Sequence, residues 1–370
     1  MLILLAYMYG DKYGVGTSSG DSVARALKAL GHEVVTCGPR YGNYNAPLSD
    51  GHDIPVLDKR MHPETYTYNE ILNRMDKKPD LIFQIDSHFY FVGEKPDIPC
   101  VYWIHDVHRT GDTFRKMAVI GKFDHVFIAQ KYYMPIYQRA GLNCHYLPFG
   151  YDDLLVQEQK NIQPVCDIVF AGSTGILNNL NHITTTDKAT CLDRDLDVYY
   201  YNFKGHLISD PEMKYAAWEN NSLEYADRAE LLLRLSQDFN VRVYYPDQLD
   251  KYSKMISKGI LGFHCSLRRD ITLRTFEVPA CNRLLLTDEI PYLDELMEHK
   301  KHLITYRKYF QPQFASFDMD YEEVKDFVIY YLKHEEERKQ ISLEGMNWVK
   351  SQHTFKHRMQ AMFDIIKDKI

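Results

Sequence analysis

The 370-residue sequence has no CxxC pair, no apolar run of membrane-spanning length and no excess of basic residues. Each lack removes a class of function. Seven cysteines, an odd number without paired spacing, read as reduced thiols, which excludes a disulfide framework and a zinc ribbon. A spanning helix needs about 20 consecutive apolar residues, and none is present. The opening MLILLAY is too short for a signal peptide and reads as a first buried strand, so the expected location is the cytoplasm. A formal net charge of -7 gives no global electrostatic footprint for nucleic acid or an acidic membrane. What is there is a soluble globular composition, 45% hydrophobic and 26% charged, in a chain longer than one core usually serves. Two domains are therefore expected.

The first strand, over 2–7, is followed by a glycine-containing loop, a helix starting at Ser19 or Asp21, and a second strand over 33–37. Val23, Ala24, Leu27 and Leu30 share one face of that helix, and Gly31 ends it. Gly14, Gly16 and Gly20 are spaced GxGxxxG, and no acid ends the second strand, so the dinucleotide fingerprint is missed. A tight turn alone also accounts for these glycines. Further strands over 80–85, 100–104, 125–129 and 145–147 alternate with helical stretches, the pattern of a doubly wound parallel sheet.

The segment CVYWIHDVHRTGD ends an apolar strand in His105 and Asp106, at the strand end where a site would lie. A strand-end histidine bonded to backbone is the plain alternative. His105, His108 and Asp106 lack a fourth ligand nearby, so no metal site is expected. Arg109, Arg115, Lys116 and Lys122 against Asp112 form a local basic run. It suits an anionic acceptor such as DNA, or simply a solvated helix face.

The second half opens with VCDIVFAGSTG, a strand over 167–171 running into Gly172 and Ser173, where backbone can approach phosphate closely. The next helix is expected only over 226–235, which leaves an insertion over 175–226. Inside it Asp193, Asp195 and Asp197 form overlapping DxD pairs, the pattern that grips a divalent cation in metal-dependent GT-A glycosyltransferases. Tyr245 closes the run VRVYY and Gln248 lies in the loop after it; an aromatic strand residue is more often core.

The most informative run is LDKYSKMISKGILGFHCSLRRDITLRTFEVPACNRLLLTDEIPYLDELMEHKKHLITY. A strand over 259–265 leads into Arg268, Arg269 and Asp270, then a helix that Thr272 is placed to cap, with Arg274 and Glu277 near its start. Arginines beside a helix start suit phosphate. Glu277 is suited to a pair of sugar hydroxyls. A helix is also expected over 291–299, and three helices close the chain.

The stretch LRTFEVPACNRLLLTDEIPYLDEL resembles the donor-binding segment of GT-B glycosyltransferases of the family-4 and spore-maturation CgeB type. The ending, with His353, Thr354 and Arg358, resembles theirs as well. The resemblance implies two Rossmann-like domains facing a cleft, with the last helix packing back on the first domain. It places an acceptor-side domain at 1–156 with helix 354–370, a linker at 157–163, and a nucleotide-sugar domain at 164–350. It implies that Glu277 holds the donor ribose, that Gly16, Gly172, Ser173, Tyr245, Arg268, Thr272 and Arg274 gather round the donor, and that His105, Asp106 or Asp270 serves catalysis. Two departures from the family pattern stand out: Arg269 occupies the place where a second acid is usual, and Asn282 and Arg283 replace paired glycines.

The function this implies is transfer of a hexose or pentose from a nucleotide-diphosphate sugar, UDP-sugar first among them, to a hydroxyl on a glycan, a small molecule or a modified DNA base. No metal cofactor is expected. A nucleotide-sugar epimerase of the same fold and a non-catalytic sugar-nucleotide binding protein stay open.

Overall fold

The computed structural model describes residues 1–7, 19–38, 53–55, 67–85, 94–105, 122–172, 190–202, 223–244, 249–311 and 316–369. They form two compact units, Met1–Asp152 with His353–Ile370, and Asp153–Gln352.

The first unit is built on β1 (Leu2–Ala6), β2 (Glu33–Gly38), β3 (Ile54–Pro55), β4 (Leu81–Ile85), β5 (Cys100–Ile104), β6 (His125–Ile128) and β7 (Cys144–Tyr146). They lie in the order β3-β2-β1-β4-β5-β6-β7, all parallel, with Leu4 opposite both Val35 and Ile82. Parallel strands covered on both faces read as continuous apolar runs, and LIFQI and CVYWI are buried along their whole length. The strand order reverses between β1 and β4, which marks a crevice at their carboxyl ends. Helix α1 (Ser19–Ala29) buries Val23, Ala24 and Leu27, and Gly31 at φ 87° lets the chain turn out of it. Among the described residues of the connections are two short helices, α2 (Tyr68–Leu72) and α3 (Met134–Arg139).

The second unit carries β8 (Cys166–Ala171), β9 (Thr190–Asp193), β10 (Val198–Tyr201), β11 (Val241–Tyr244), β12 (Gly259–Phe263), β13 (Leu284–Asp288) and β14 (Ile304–Tyr306). Their order is β14-β13-β12-β8-β11-β10-β9, and the chain reverses direction of winding between β8 and β12. Helices α4 (Leu223–Asp238), α5 (Leu249–Ser257), α6 (Arg274–Ala280), α7 (Tyr321–Lys333) and α8 (Glu335–Gln352) cover this sheet. Its core joins Ile168, Phe170, Leu232, Val243, Phe263, Leu286 and Ile304. Gly262 lets α6 press on β12, because a side chain there would meet Val278.

The structure departs from the sequence reading in several places. The insertion carries a hairpin, β9 and β10, which extends the sheet antiparallel to β11. Its aspartates do not form a cation grip: Asp193 is buried and accepts from Tyr244 Oη at 2.7 Å and Arg242 at 3.1 Å, and Lys258 Nζ reaches Asp195 at 2.7 Å. Arg242 on β11 and Lys258 just before β12 thus hold two of the three carboxylates, Asp193 and Asp195. Residues 291–299 are turns rather than a helix, with Tyr292 at φ 66°. A second hairpin, β15 (Lys308–Gln311) with β16 (Ser316–Met319), follows β14. The stretch 157–163, read as a linker, packs on the second unit: Gln157 N donates to Ser253 at 3.1 Å and Asn282 Nδ2 to Glu158 at 2.7 Å.

The chain returns to the first unit in helix α9 (Phe355–Ile366). Thr354 caps it, accepting from His357 N, and Tyr151 N donates to His353 O at 3.0 Å while Phe355 N donates to Tyr151 O at 2.9 Å. Gly150 is needed at this crossing, since a Cβ there would strike the Thr354 backbone. Phe355, Met359, Met362 and Ile366 are buried, and Phe363 packs on His32 with ring centres 4.7 Å apart. All seven cysteines are free, and no described helix is long and apolar enough to cross a membrane.

Candidate functional site

In open α/β sheets ligands bind beyond the carboxyl ends of the strands, where the winding reverses. In the second unit that point lies between β8 and β12, and the residues of the informative run gather there. Arg274, first residue of α6, sends its Nε back to the carbonyl of Ala171 at the end of β8. Its guanidinium stands where a Cβ on Gly172 would be. The glycine therefore makes room for a cation at the strand end. Glu277 follows in the first turn of the same helix and is only 7% exposed. Beside it Tyr252, buried on α5, has its phenol held well above the usual range by burial first and by the negative charge of Glu277 second.

Thr272 does something other than cap α6. The helix has Leu273 at its N-cap position with no side-chain hydrogen bond, and the Thr272 hydroxyl pairs instead with His264 Nε2 at 3.1 Å. His264 Nδ1 meets the Thr287 hydroxyl at 2.9 Å. The imidazole is fully buried, and its pKa is driven far below the ordinary value by desolvation, then by Arg274, Arg228 and Lys308. It is a neutral bridge between two hydroxyls, and it fixes the loop after β12 to the end of β13.

The same loop is pinned a second time. Asp288, fully buried at the end of β13, accepts from Ser266 N at 2.7 Å and from the Ser266 hydroxyl. Lys308 Nζ lies 3.6 Å from Asp288 and donates to the Ser266 carbonyl. Arg228, also buried, donates from Nε to the Cys265 carbonyl at 2.8 Å. Both Arg228 and Arg274 lie over the ring of Phe170, at 5.5 and 5.3 Å. Three cations thus converge on the carboxyl ends of β8, β12 and β13, with Asp288 and Glu277 as carboxylates among them.

Further along the loop, Asp270 Oδ1 accepts from Arg268 N at 3.2 Å, so the segment folds on itself. Arg269 takes a left-handed φ of 55°, a costly conformation for a residue with a side chain. Asn282 takes the same φ of 55°. Asparagine tolerates that region better than most residues, which is how it stands where paired glycines are usual.

His105 belongs to the first unit, just past β5. Its Nδ1 pairs with the Ser19 hydroxyl at the start of α1 at 2.9 Å, and its ring packs edge-on against Trp103 and Phe149 at 4.4 and 4.7 Å. Gly16, Asp106, Ser173 and Tyr245 lie outside the described residues, as do Gln248, His108, Arg109, Arg115 and Lys116. The sequence reading thus placed Gly172, Arg274 and Glu277 together. It passed over Arg228, His264, Ser266, Asp288 and Lys308. The polar residues His264 and Ser266 at an apolar strand's end were a signal for two of them; Lys308 reads in sequence like any surface lysine.

Residues 206–364 match a family model described as Glycosyl transferase-like. No curated protein matches the chain. Among solved structures, sucrose-phosphate synthase of Thermosynechococcus elongatus superposes with a TM-score of 0.60 at 12% identity, covering 99% of this chain and 98% of that one. HepE of Anabaena in complex with UDP-glucose gives 0.56 at 12% identity over 100% of both chains. An alpha-glucosyltransferase in complex with UDP-glucose and DNA containing an abasic site gives 0.60 at 12% identity over 99% of both. At such identities the likeness is one of fold, and that fold is GT-B: two α/β units, each with a sheet built on parallel strands.

Proposed function

We propose that the chain is a glycosyltransferase that moves a sugar from a nucleotide-diphosphate donor to a hydroxyl acceptor. The observation that carries this reading is the pairing on one short helix of Arg274, seated at Gly172, with Glu277 one turn on. A nucleotide sugar needs a cation on its diphosphate and a carboxylate on its ribose hydroxyls, and the two side chains stand at the switch point of one sheet.

In this reading Arg274, with Arg268 and the backbone at Gly172 and Ser173, stabilises the charge that grows on the leaving diphosphate. Arginines in that role make a divalent cation unnecessary. Thr272 acts through His264, as the brace of the loop, rather than on the donor. His105, held by Ser19, and Asp106 are the candidates for the acceptor's proton, and Asp270 is the candidate acid nearer the donor. Tyr245 is the candidate base contact and Gly16 a further candidate for donor binding.

UDP-glucose is the donor to try first, because HepE and the alpha-glucosyltransferase are both seen with it. That favours a hexosyl over a pentosyl group. The alpha-glucosyltransferase is also seen with DNA, but a net charge of -7 favours a glycan or small-molecule hydroxyl for this chain. The CgeB-type resemblance rests on the donor-binding segment and on the ending of the chain, and the cytoplasm is the expected location.

The test is release of nucleoside diphosphate from UDP-, GDP-, ADP- and TDP-sugars with EDTA present, for the wild type and Glu277→Gln. Slow release from one donor, lost in the variant, supports a metal-independent transferase. Release that needs added divalent cation, or that survives Glu277→Gln and Arg274→Met alike, removes this assignment of the site.

A further inference from the structure

The second unit holds a cavity of about 520 Å³ at the other end of the sheet. It is lined near the starts of β12 and β13 by Ile260 and Arg283, whereas the candidate donor site lies past their ends. A strand of five residues spans about 16 Å, so the two places are separate. One wall is α8, whose residues 335, 338, 339, 342 and 343 line the cavity; that spacing is one face of a helix. The facing wall is the stretch 158–164.

The lining is charged. Lys160, Arg283, Arg338 and Lys339 face Glu158 and Glu335. Both carboxylates have partners already: Asn282 donates to Glu158 at 2.7 Å, and Lys339 pairs with Glu335 at 2.7 Å. Arg283 donates to the carbonyls of Asn282 and Ser257, both at 3.0 Å, while its buried Nε has no partner. An arginine carries five N–H donors, so most of this fork is unspent. Burial lowers the pKa of Arg283 and of Arg338, and the charge of Arg338 lowers that of Arg283 further. Both guanidinium groups line this one cavity, and Arg338 is anchored there by its Nη1 on the carbonyl of Tyr331.

Arg283 is also one of the two positions where the chain departs from the glycines of the family it resembles. In place of a bare turn the sequence supplies Asn282, which fastens Glu158, and Arg283, which lines the cavity. We propose that this cavity is a second anion site, taking the phosphoryl group of a small phosphorylated molecule between Arg283 and Arg338 with Lys160 at its rim. A phosphoryl group fits a pair of guanidinium forks and neutralises their mutual repulsion. Occupancy would tie the stretch 158–164 to α8. The proposal stands apart from the assignment of Arg274 and Glu277.

Calorimetric titration with inorganic phosphate, pyrophosphate and malonate at constant ionic strength tests it, using the wild type, Arg274→Met, Arg283→Met and Lys160→Glu. Lys160 is exposed, so its variant folds even where Arg283→Met does not. The expected result is saturable pyrophosphate or phosphate binding that survives Arg274→Met and weakens by about tenfold or more in Arg283→Met and Lys160→Glu. Hydrogen exchange over 158–164 slows when the anion is bound. Binding lost in Arg274→Met, binding indifferent to Arg283 and Lys160, or no saturable binding overturns the proposal. Tighter binding of malonate than of phosphate overturns the phosphoryl assignment.

Discussion

Arg274 stands in the space that a side chain at position 172 would fill, with its Nε on the carbonyl of Ala171. Two segments about a hundred residues apart in sequence are thereby matched at the carboxyl end of β8, a glycine on one side and a cation on the other.

Gly172→Ala is expected to push the guanidinium away from Ala171. The obstructing atoms belong to the far end of a side chain that can move, but Gly172 sits at φ 158°, where an L side chain is strained. Affinity for UDP should fall by about tenfold or more, as for the loss of a charged hydrogen bond, and the melting temperature should fall as well. Calorimetric titration and a thermal melt of the same sample check both halves.

Lys308→Met leaves the buried Asp288 without this cation, held by the Ser266 amide and hydroxyl. Breaking a buried ion pair from one side costs about 3–5 kcal/mol. Chemical denaturation should show that loss, and Lys308→Met with Asp288→Asn should recover a good part of it, because no uncompensated charge then remains inside.

His264 sets a pH dependence. Its pKa in the folded chain lies well below the ordinary value, whereas in the unfolded chain it titrates near about 6.5. Above that pH both states are neutral and the histidine adds no slope. As pH falls below about 6.5 the unfolded state takes up a proton that the folded state refuses, so stability declines, by up to about 1.4 kcal/mol per pH unit for one proton. His145, His299 and His302 are lowered as well, so the wild type should lose stability steadily from pH 7 to 5. Denaturation midpoints of His264→Gln over the same range should fall less steeply.

Much of this architecture was legible in the sequence for simple reasons. Parallel strands buried on both faces leave long apolar runs, and α1 between β1 and β2 shows its face in Val23, Ala24 and Leu27. The three closing helices, the last starting near Thr354, were readable in the same way. Arg274 and Glu277 could be placed because they follow a strand end directly. Pairing across the chain was not readable. The hairpin β9–β10 depends on Asp193 finding Arg242 and Tyr244, and as a string its aspartates look like metal ligands. Thr272 had the sequence of a cap, but His264 offered it a buried partner. Lys308 gives no local sign that it is buried, because its reason to be there is Asp288, twenty residues earlier and on another strand.

The central claim, that Glu277 takes the donor ribose while Arg274 takes the diphosphate, is tested most directly by titrating UDP and 2′,3′-dideoxy-UDP into the wild type and Glu277→Gln. UDP should bind the wild type more tightly than its dideoxy analogue, and Glu277→Gln should erase that difference while leaving the dideoxy compound's affinity unchanged. Equal binding of the two ligands by the wild type, or a preference for UDP that persists in Glu277→Gln, would contradict it.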